Sequence, residues 1–245
     1  NKKIQVPFVF IKGRPYVGNK KNRILCMLDY YFHVKKAAIQ YAKMHGKPDV
    51  IIGSQVHPLA VLAAEQLANS FGIKCIAEFR DLWPESIVAM KIASKNNPVI
   101  VAMRLLEKQL YRKANAIIFT VEGGYDYISE RGWEKIIPKE KVFFINNGVD
   151  LEKYKKDVEE LAYEDEDFED ENCFKIIYTG SIRRANGLDE LIDSAVLMKE
   201  NQKIKFLIYG DGDYRVRLQE KVEQNRLENV VFKGKVDKNK IPFIL

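Results

Sequence analysis

Cysteine is sparse and scattered in this 245-residue sequence: Cys26, Cys75 and Cys173 stand far apart, with no Cys-x-x-Cys and no Cys/His spacing. That argues against a zinc site, and an odd, low count fits a reducing cytoplasm. Long apolar runs are missing too, and none approaches the length of a membrane span. No Gly-x-Gly-x-x-Gly follows a strand-like segment and no Gly-x4-Gly-Lys-Ser/Thr occurs, which counts against a nicotinamide dehydrogenase and a P-loop ATPase. Acids are scarce at the start. Residues 1–60 hold only Asp29 and Asp49, against the bases Lys2, Lys3, Lys12, Arg14, Lys20, Lys21, Arg23, Lys35, Lys36, Lys43 and Lys47. That local excess is larger than the net charge of +6 on the whole chain. It suits phosphates, nucleic acid or an acidic membrane face, although a solvated surface that keeps the protein soluble needs no partner.

What is present is enough to build a core. The chain is 47% hydrophobic and 30% charged, the balance of a soluble globular protein of one large domain or two modest ones. Strand-like and helix-like segments alternate. Residues 49–53, 73–79, 116–120 and 141–145 read as strands, the second of them buried, and 22–45, 57–70, 98–113 and 124–130 as helices. Apolar strands separated by helices predict a parallel sheet covered on both faces. The alternation breaks between Asp157 and Glu171, where ten acids occur without one base. Such a block repels itself and is expected to be a linker or exposed insertion; nothing in it has the spacing of an EF-hand. Strands at 174–178, 204–209 and 230–232, with helices at 188–198 and 214–224, then restart the pattern. The expected organisation is a first Rossmann-like domain over 1–150, an acidic segment over 151–172 and a second α/β domain over 173–245, with a ligand cleft between the two. Asn146-Asn147-Gly148 falls where a hinge is needed. The chain starts at Asn1 and stops at Leu245 inside an apolar stretch, so both domains are expected to be incomplete.

The richest stretch is Glu78-Phe79-Arg80-Asp81-Leu82-Trp83-Pro84-Glu85-Ser86, at the exit of the 73–79 strand. Ligands of open α/β sheets bind beyond the carboxyl ends of strands, so charge gathered there is placed to meet a substrate. The plainer alternative is a surface loop with an Arg80/Asp81 ion pair and Trp83 as a packing plug. In the second domain, the 174–178 strand leads into Thr179-Gly180-Ser181-Ile182-Arg183-Arg184-Ala185-Asn186-Gly187 and then a helix. Glycines permit a tight turn, the helix start offers free N–H groups, and Arg183 and Arg184 add positive charge, a phosphate-binding combination. Gly210-Asp211-Gly212-Asp213 marks a second strand-to-helix turn of the same kind. Either could also be an ordinary tight turn.

Taken together, Ser54-Gln55-Val56-His57-Pro58-Leu59-Ala60, Asp81-Leu82-Trp83-Pro84-Glu85, Asn147-Gly148-Val149-Asp150, Tyr178-Thr179-Gly180, Asn186-Gly187-Leu188-Asp189 and Gly210-Asp211-Gly212 resemble family 4 retaining glycosyltransferases of the GT-B fold. The likeness is to bacterial enzymes of O-antigen, capsule and colanic-acid synthesis, N-acetylfucosamine transferases among them, and runs from about Val50 to the end. It implies a nucleotide-sugar donor on the second domain, a UDP-sugar in preference to a GDP-sugar, and a glycan or polyprenyl-diphosphate-linked acceptor on the first. It implies a hexose-type sugar transferred with retention, without a metal or other cofactor, and with basic side chains and helix N–H groups stabilising the leaving diphosphate. The expected location is cytoplasmic, peripheral on the inner face of an anionic plasma membrane, with no nucleic-acid partner.

On that resemblance Asp81 is assigned as acceptor-orienting group or base and Arg80 as a charge in the cleft. Glu85 binds a sugar hydroxyl or caps the following turn, and Trp83 stacks on a sugar or packs. His57 contacts the acceptor or is a satisfied structural histidine. Gly180, Arg183, Arg184, Asn186, Gly210 and Asp211 bind the donor, with the backbone around Val236 near the base. The sequence departs from the family pattern at Ser181 and Asn186, where an Arg and a Lys are common, so Arg183 or Arg184 has to supply that charge. The family's Glu-x7-Glu motif would lie beyond Leu245, so this stretch alone is expected to bind nucleotide poorly and to be inactive. The alternative function is a degenerate GT-B-fold binding or scaffold protein.

Overall fold

The computed structural model describes residues 6–15, 20–55, 57–161 and 164–245, with the backbone alone for Lys20 and Lys21. Lys2, Lys3 and Val56 lie outside the described residues, as do the side chains of Lys20 and Lys21. The chain divides into two compact units, Asn1–Asn147 and Gly148–Leu245.

The first unit is a parallel sheet of β1 (Val50–Ser54), β2 (Lys74–Phe79), β3 (Ala116–Phe119) and β4 (Val142–Phe144), lying side by side in that order. In β2 the alternate residues Cys75, Ala77 and Phe79 are buried, the period-two pattern of a pleated strand. Its helices are α1 (Lys20–His45), α2 (Pro58–Phe71), α3 (Glu85–Ala89), α4 (Pro98–Lys113) and α5 (Gly124–Glu130). Local chemistry sets their ends. Pro58 and Pro98 occupy first helical positions, where a missing N–H costs nothing, and Asn97 accepts from the N–H of Val99. Lys141 Nζ closes the other end of α4 by donating to the carbonyls of Tyr111, Arg112 and Ala114 at 2.6–3.0 Å. The core gathers Val61, Phe79, Leu110, Tyr111, Ile117, Phe119, Ile128 and Trp133.

The second unit opens with α6 (Leu151–Glu160) and α7 (Glu166–Glu169). A three-stranded parallel sheet follows, β5 (Phe174–Thr179), β6 (Ile204–Tyr209) and β7 (Val230–Gly234), in sequence order. Its helices are α8 (Leu188–Leu197), α9 (Arg215–Gln224) and α10 (Ile241–Ile244). Phe206 to Tyr209 are all buried, as expected of a central strand covered on both faces.

α6 and α7 belong to the second unit, and three of the acids are paired with lysines of its sheet. Lys233 on β7 bonds Asp165 at 2.5 Å and Asp167 at 2.6 Å, and Lys205 on β6 bonds Asp170 at 3.2 Å. The partners lie more than 30 residues downstream, beyond the reach of a local charge count.

Candidate active site

At the carboxyl end of the first sheet, β1 and β2 release their loops side by side because Ser54 and Glu78 are in register. Gln55 is buried and ties the two exits together. Its N–H donates to the Glu78 carbonyl at 2.9 Å, and its side-chain oxygen accepts the Asp81 N–H at 3.4 Å. Arg80 and Asp81 are exposed. Arg80 pairs with Glu78 at 3.6 Å, in place of the Arg80/Asp81 ion pair of the plainer alternative. The Asp81 carboxylate has no partner among the described residues.

Glu85 begins α3 and is held by two guanidiniums. Arg104 on α4 donates to its Oε1 at 2.6 and 2.9 Å, and Arg131, after α5, pairs with the same oxygen. Arg104 also donates to the Lys95 carbonyl at 2.9 Å. The far side of the Asp81–Glu85 loop is thereby anchored to two helices, while Leu82 packs on the core and Trp83 is half-buried. Behind it Glu107 is buried and accepts from the Tyr111 and Tyr127 hydroxyls, both at 2.9 Å. Burial pushes its carboxyl up to about 7 despite those two hydrogen bonds.

His57, at the start of α2, is buried with Tyr30 edge-on at 5.4 Å. Its Nδ1 has no hydrogen-bond partner among the described residues. Burial first, and Arg23 second, lower its pKa and keep the ring neutral. Further along α2, Glu65 is buried with neither carboxylate oxygen bonded among the described residues, and desolvation raises it to about 7.

At the carboxyl end of the second sheet the two glycine turns interlock. The N–H of Gly180 donates to the Tyr209 carbonyl at 3.0 Å, and that of Ile182 to the Asp211 carbonyl at 2.9 Å. A side chain on Gly210 (φ +137°) would lie 1.8 Å from the Gly180 oxygen, and one on Gly212 2.1 Å from the Ile182 oxygen. Only bare backbone lets the loops pass this closely. Asn186 Nδ2 donates to the Tyr178 hydroxyl at 2.8 Å, which donates to the Ser181 carbonyl at 2.9 Å. The two positions that depart from the family pattern are therefore joined through one tyrosine and shape the loop. Asp211 accepts its neighbour's Gly212 N–H at 2.9 Å and stands 3.7 Å from Arg215. Arg183 and Arg184 are exposed, and their guanidiniums carry no hydrogen bond or ion pair among the described residues. Gly187, left-handed at φ +68°, starts α8 without a side-chain cap. The Val236 side chain packs on the Leu207–Tyr209–Ile244 cluster.

Of the residues read from sequence, Arg80, Asp81 and Glu85 share one loop, and Gly180, Arg183, Arg184, Asn186, Gly210 and Asp211 share the interlocked turns. Gln55, Arg104, Arg131 and Glu107 were missed as supports. Gln55 lies inside a quoted motif, but nothing local marks the other three as partners of this loop. Among the described residues no group of three or more His, Cys, Asp or Glu could hold a metal ion, and no helix is long and apolar enough to cross a membrane.

Residues 5–153 match the family model for Glycosyltransferase Family 4, and residues 159–245 that for Glycosyl transferases group 1. The chain is 24% identical over 193 residues to the putative colanic acid biosynthesis glycosyl transferase WcaI of Escherichia coli K12, covering 78% of this chain and 47% of that protein. It is 21% identical over 213 residues to the probable glycosyltransferase WbjE of Pseudomonas aeruginosa, covering 86% and 51%. It thus spans about half the length of the curated relatives it matches. Among solved structures, sucrose-phosphate synthase of Thermosynechococcus elongatus superposes with a TM-score of 0.67 at 17% identity, over 96% of this chain and 56% of that one. Anabaena Alr3699/HepE in complex with UDP gives 0.61 at 17% identity, over 86% and 53%. The fold is a partial GT-B.

Proposed function

The chain belongs to glycosyltransferase family 4, and on that premise we propose that it carries the donor turns and acceptor loop of a retaining transferase in cell-surface polysaccharide synthesis. The donor is a UDP-sugar, the group moved a hexose-type sugar, and the acceptor a glycan or polyprenyl-diphosphate-linked glycan at an anionic membrane face. O-antigen, capsule and colanic-acid repeats are the product classes that fit, WcaI being the colanic-acid relative.

The observation that carries this reading is the interlocked Gly180/Gly210 floor with Arg183 and Arg184 unpaired above the start of α8. Two free guanidiniums beside an uncapped helix start suit a diphosphate, whose charge grows as the glycosidic bond breaks. Asp211, at the second turn, suits the ribose hydroxyls or the edge of that diphosphate. In the first unit Asp81 is the acceptor-orienting group, presented by Gln55 on one side and the Glu85 clamp on the other. Retention follows from attack on the face the leaving phosphate departs from, with that phosphate taking the acceptor proton. No step calls for a metal.

Calorimetric titration of UDP, GDP and uridine into the whole protein tests the donor reading. Replacing Arg183 and Arg184 with Ala should weaken UDP at least tenfold and leave uridine nearly unchanged. Equal losses for both ligands would place the arginines elsewhere. Binding of UDP with no turnover of any UDP-sugar would favour a scaffold role.

A further inference from the structure

The two ladders of the second sheet differ by one residue. β5 and β6 pair without interruption, from Phe174 with Ile204 to Thr179 with Tyr209. Between β6 and β7 the register shifts: Ile208 pairs with Phe232, but Tyr209 pairs with Gly234. Lys233 is the extra residue of a β-bulge. Val231 and Val236 consequently join the same cluster, with Leu207, Tyr209 and Ile244, although an odd spacing puts residues of a regular strand on opposite faces. Both sides of the bulge are held. Lys233 Nζ bonds Asp165 at 2.5 Å and Asp167 at 2.6 Å, and its side chain and that of Asp165 are only 14% and 9% exposed. Asp165 in turn caps the start of α7, accepting the Asp167 N–H at 3.0 Å. On the other side Gly234, left-handed at φ +75°, accepts the N–H of Gly210 on its carbonyl at 2.7 Å. A side chain on Gly234 would begin 3.8 Å from Nη1 of Arg215, the partner of Asp211.

We propose that the acidic strap of residues 164–170 is a positioning device for the nucleoside end of the donor site. Asp165 and Asp167 fix Lys233, Lys233 fixes the bulge, and the bulge sets the backbone of residues 234–236 against Gly210 and Asp211. The inference rests on the donor reading above and adds the residues that hold its base-side wall. A bulge needs such an anchor. An inserted residue interrupts the ladder, and a slip of one position would turn Val236 away from its cluster and carry the Gly234 carbonyl off the Gly210 N–H. Exposed ion pairs hold little, but Lys233 and Asp165 are withdrawn from water, where losing one partner leaves the other stranded. The phosphate end, Gly180 to Gly187, leaves from β5, whose ladder with β6 is regular, so the strap acts on the nucleoside end alone. Its acids work through Lys233 and are positioning residues.

Calorimetric titration of UDP, uridine and inorganic pyrophosphate into the whole protein tests it. Lys233→Ala should weaken uridine and UDP by the same factor, about tenfold, and leave pyrophosphate within about twofold. Lys233→Arg keeps the charge between the two carboxylates and should recover most of that loss. A merely structural lysine would lower the melting temperature and leave the affinities of the folded protein unchanged. Coupling is reciprocal, so in the unaltered protein uridine should slow limited proteolysis across residues 164–170, and pyrophosphate should not. That second measurement decides the matter should Lys233→Ala fail to fold. Uridine affinity unchanged in folded Lys233→Ala, or a strap that uridine leaves unprotected, overturns the proposal and spares the donor reading. A loss confined to UDP and pyrophosphate overturns it too, since the strap would then act on the phosphate end. Failure of the unaltered protein to bind UDP overturns both.

Discussion

Glu65→Gln should make the first unit more stable, and more so the higher the pH. Glu65 is buried on α2 with both oxygens unpartnered among the described residues, and burial raises its carboxyl from 4.5 to about 7. Lys113 and Lys141 lower it only in part. The unfolded chain releases this proton near its ordinary value, while the folded chain keeps it to about 7. Between those values the folded state binds more protons, so stability falls as pH rises through the window and levels off above it. The gap corresponds to about 3 kcal/mol for this group. Glu107, also raised to about 7, adds a second fall of the same sign in the same window. A glutamine resembles the protonated acid. The substitution should therefore be nearly neutral at about pH 4 and stabilising by roughly 3 kcal/mol at about pH 8. Urea titrations followed by tryptophan fluorescence isolate the unit, because the chain's two tryptophans, Trp83 and Trp133, both lie in it. The carboxylate Asp167 does not interfere. Its pKa is lowered, and its contribution is lost only as pH falls below the ordinary aspartate range. A difference between variant and parent that stays constant from about pH 4 to pH 8 would refute the reasoning, since it would mean Glu65 is ionised and paired in the fold.

Gly210→Ala should destabilise the second unit by about 3 kcal/mol or more, because the new methyl meets the Gly180 carbonyl at 1.8 Å and φ +137° strains any side chain. A far-UV thermal melt unchanged by the substitution would contradict the interlock. Glu85→Ala leaves Arg104 and Arg131 facing each other half-buried and should cost about 2 kcal/mol in urea melts read by tryptophan fluorescence. Acceptor KM should also rise in the whole protein, whereas a stability loss with KM unmoved would make the clamp purely structural. Lys233→Ala removes the bonds to Asp165 and Asp167, leaving Asp167 with Lys205 at 3.4 Å, and should speed limited proteolysis across residues 164–170 several-fold; protection equal to the parent would show that the strap is held by other contacts.

The alternation of apolar strand and helix was legible because parallel strands are nearly continuous apolar runs, although the outer strands β1 and β4 leave Ile52 and Phe144 exposed. The two glycine turns were legible because close backbone passage admits no other residue. Helix ends were marked locally, by Pro58, Asn97 and Pro98. Within the acidic run, the partners of Asp165, Asp167 and Asp170 were not legible, because they lie far downstream. Like charges in a row predict repulsion only if nothing distant answers them, and Lys205 and Lys233 do so from strands that fold alongside.

Sequence alone thus determined the strand–helix order, the family and the loops that hold its polar residues, since each depends on residues close together in the chain. Tertiary structure decided which of those residues are free to act. Glu85 and Asp81 are four positions apart and look alike as letters, yet one is gripped by guanidiniums 19 and 46 residues downstream and the other faces solvent. Glu65 and Glu107 read as ordinary helix acids until burial withdraws the water that would ionise them. Pairing and desolvation act through space, so neither is written in any local window of the chain.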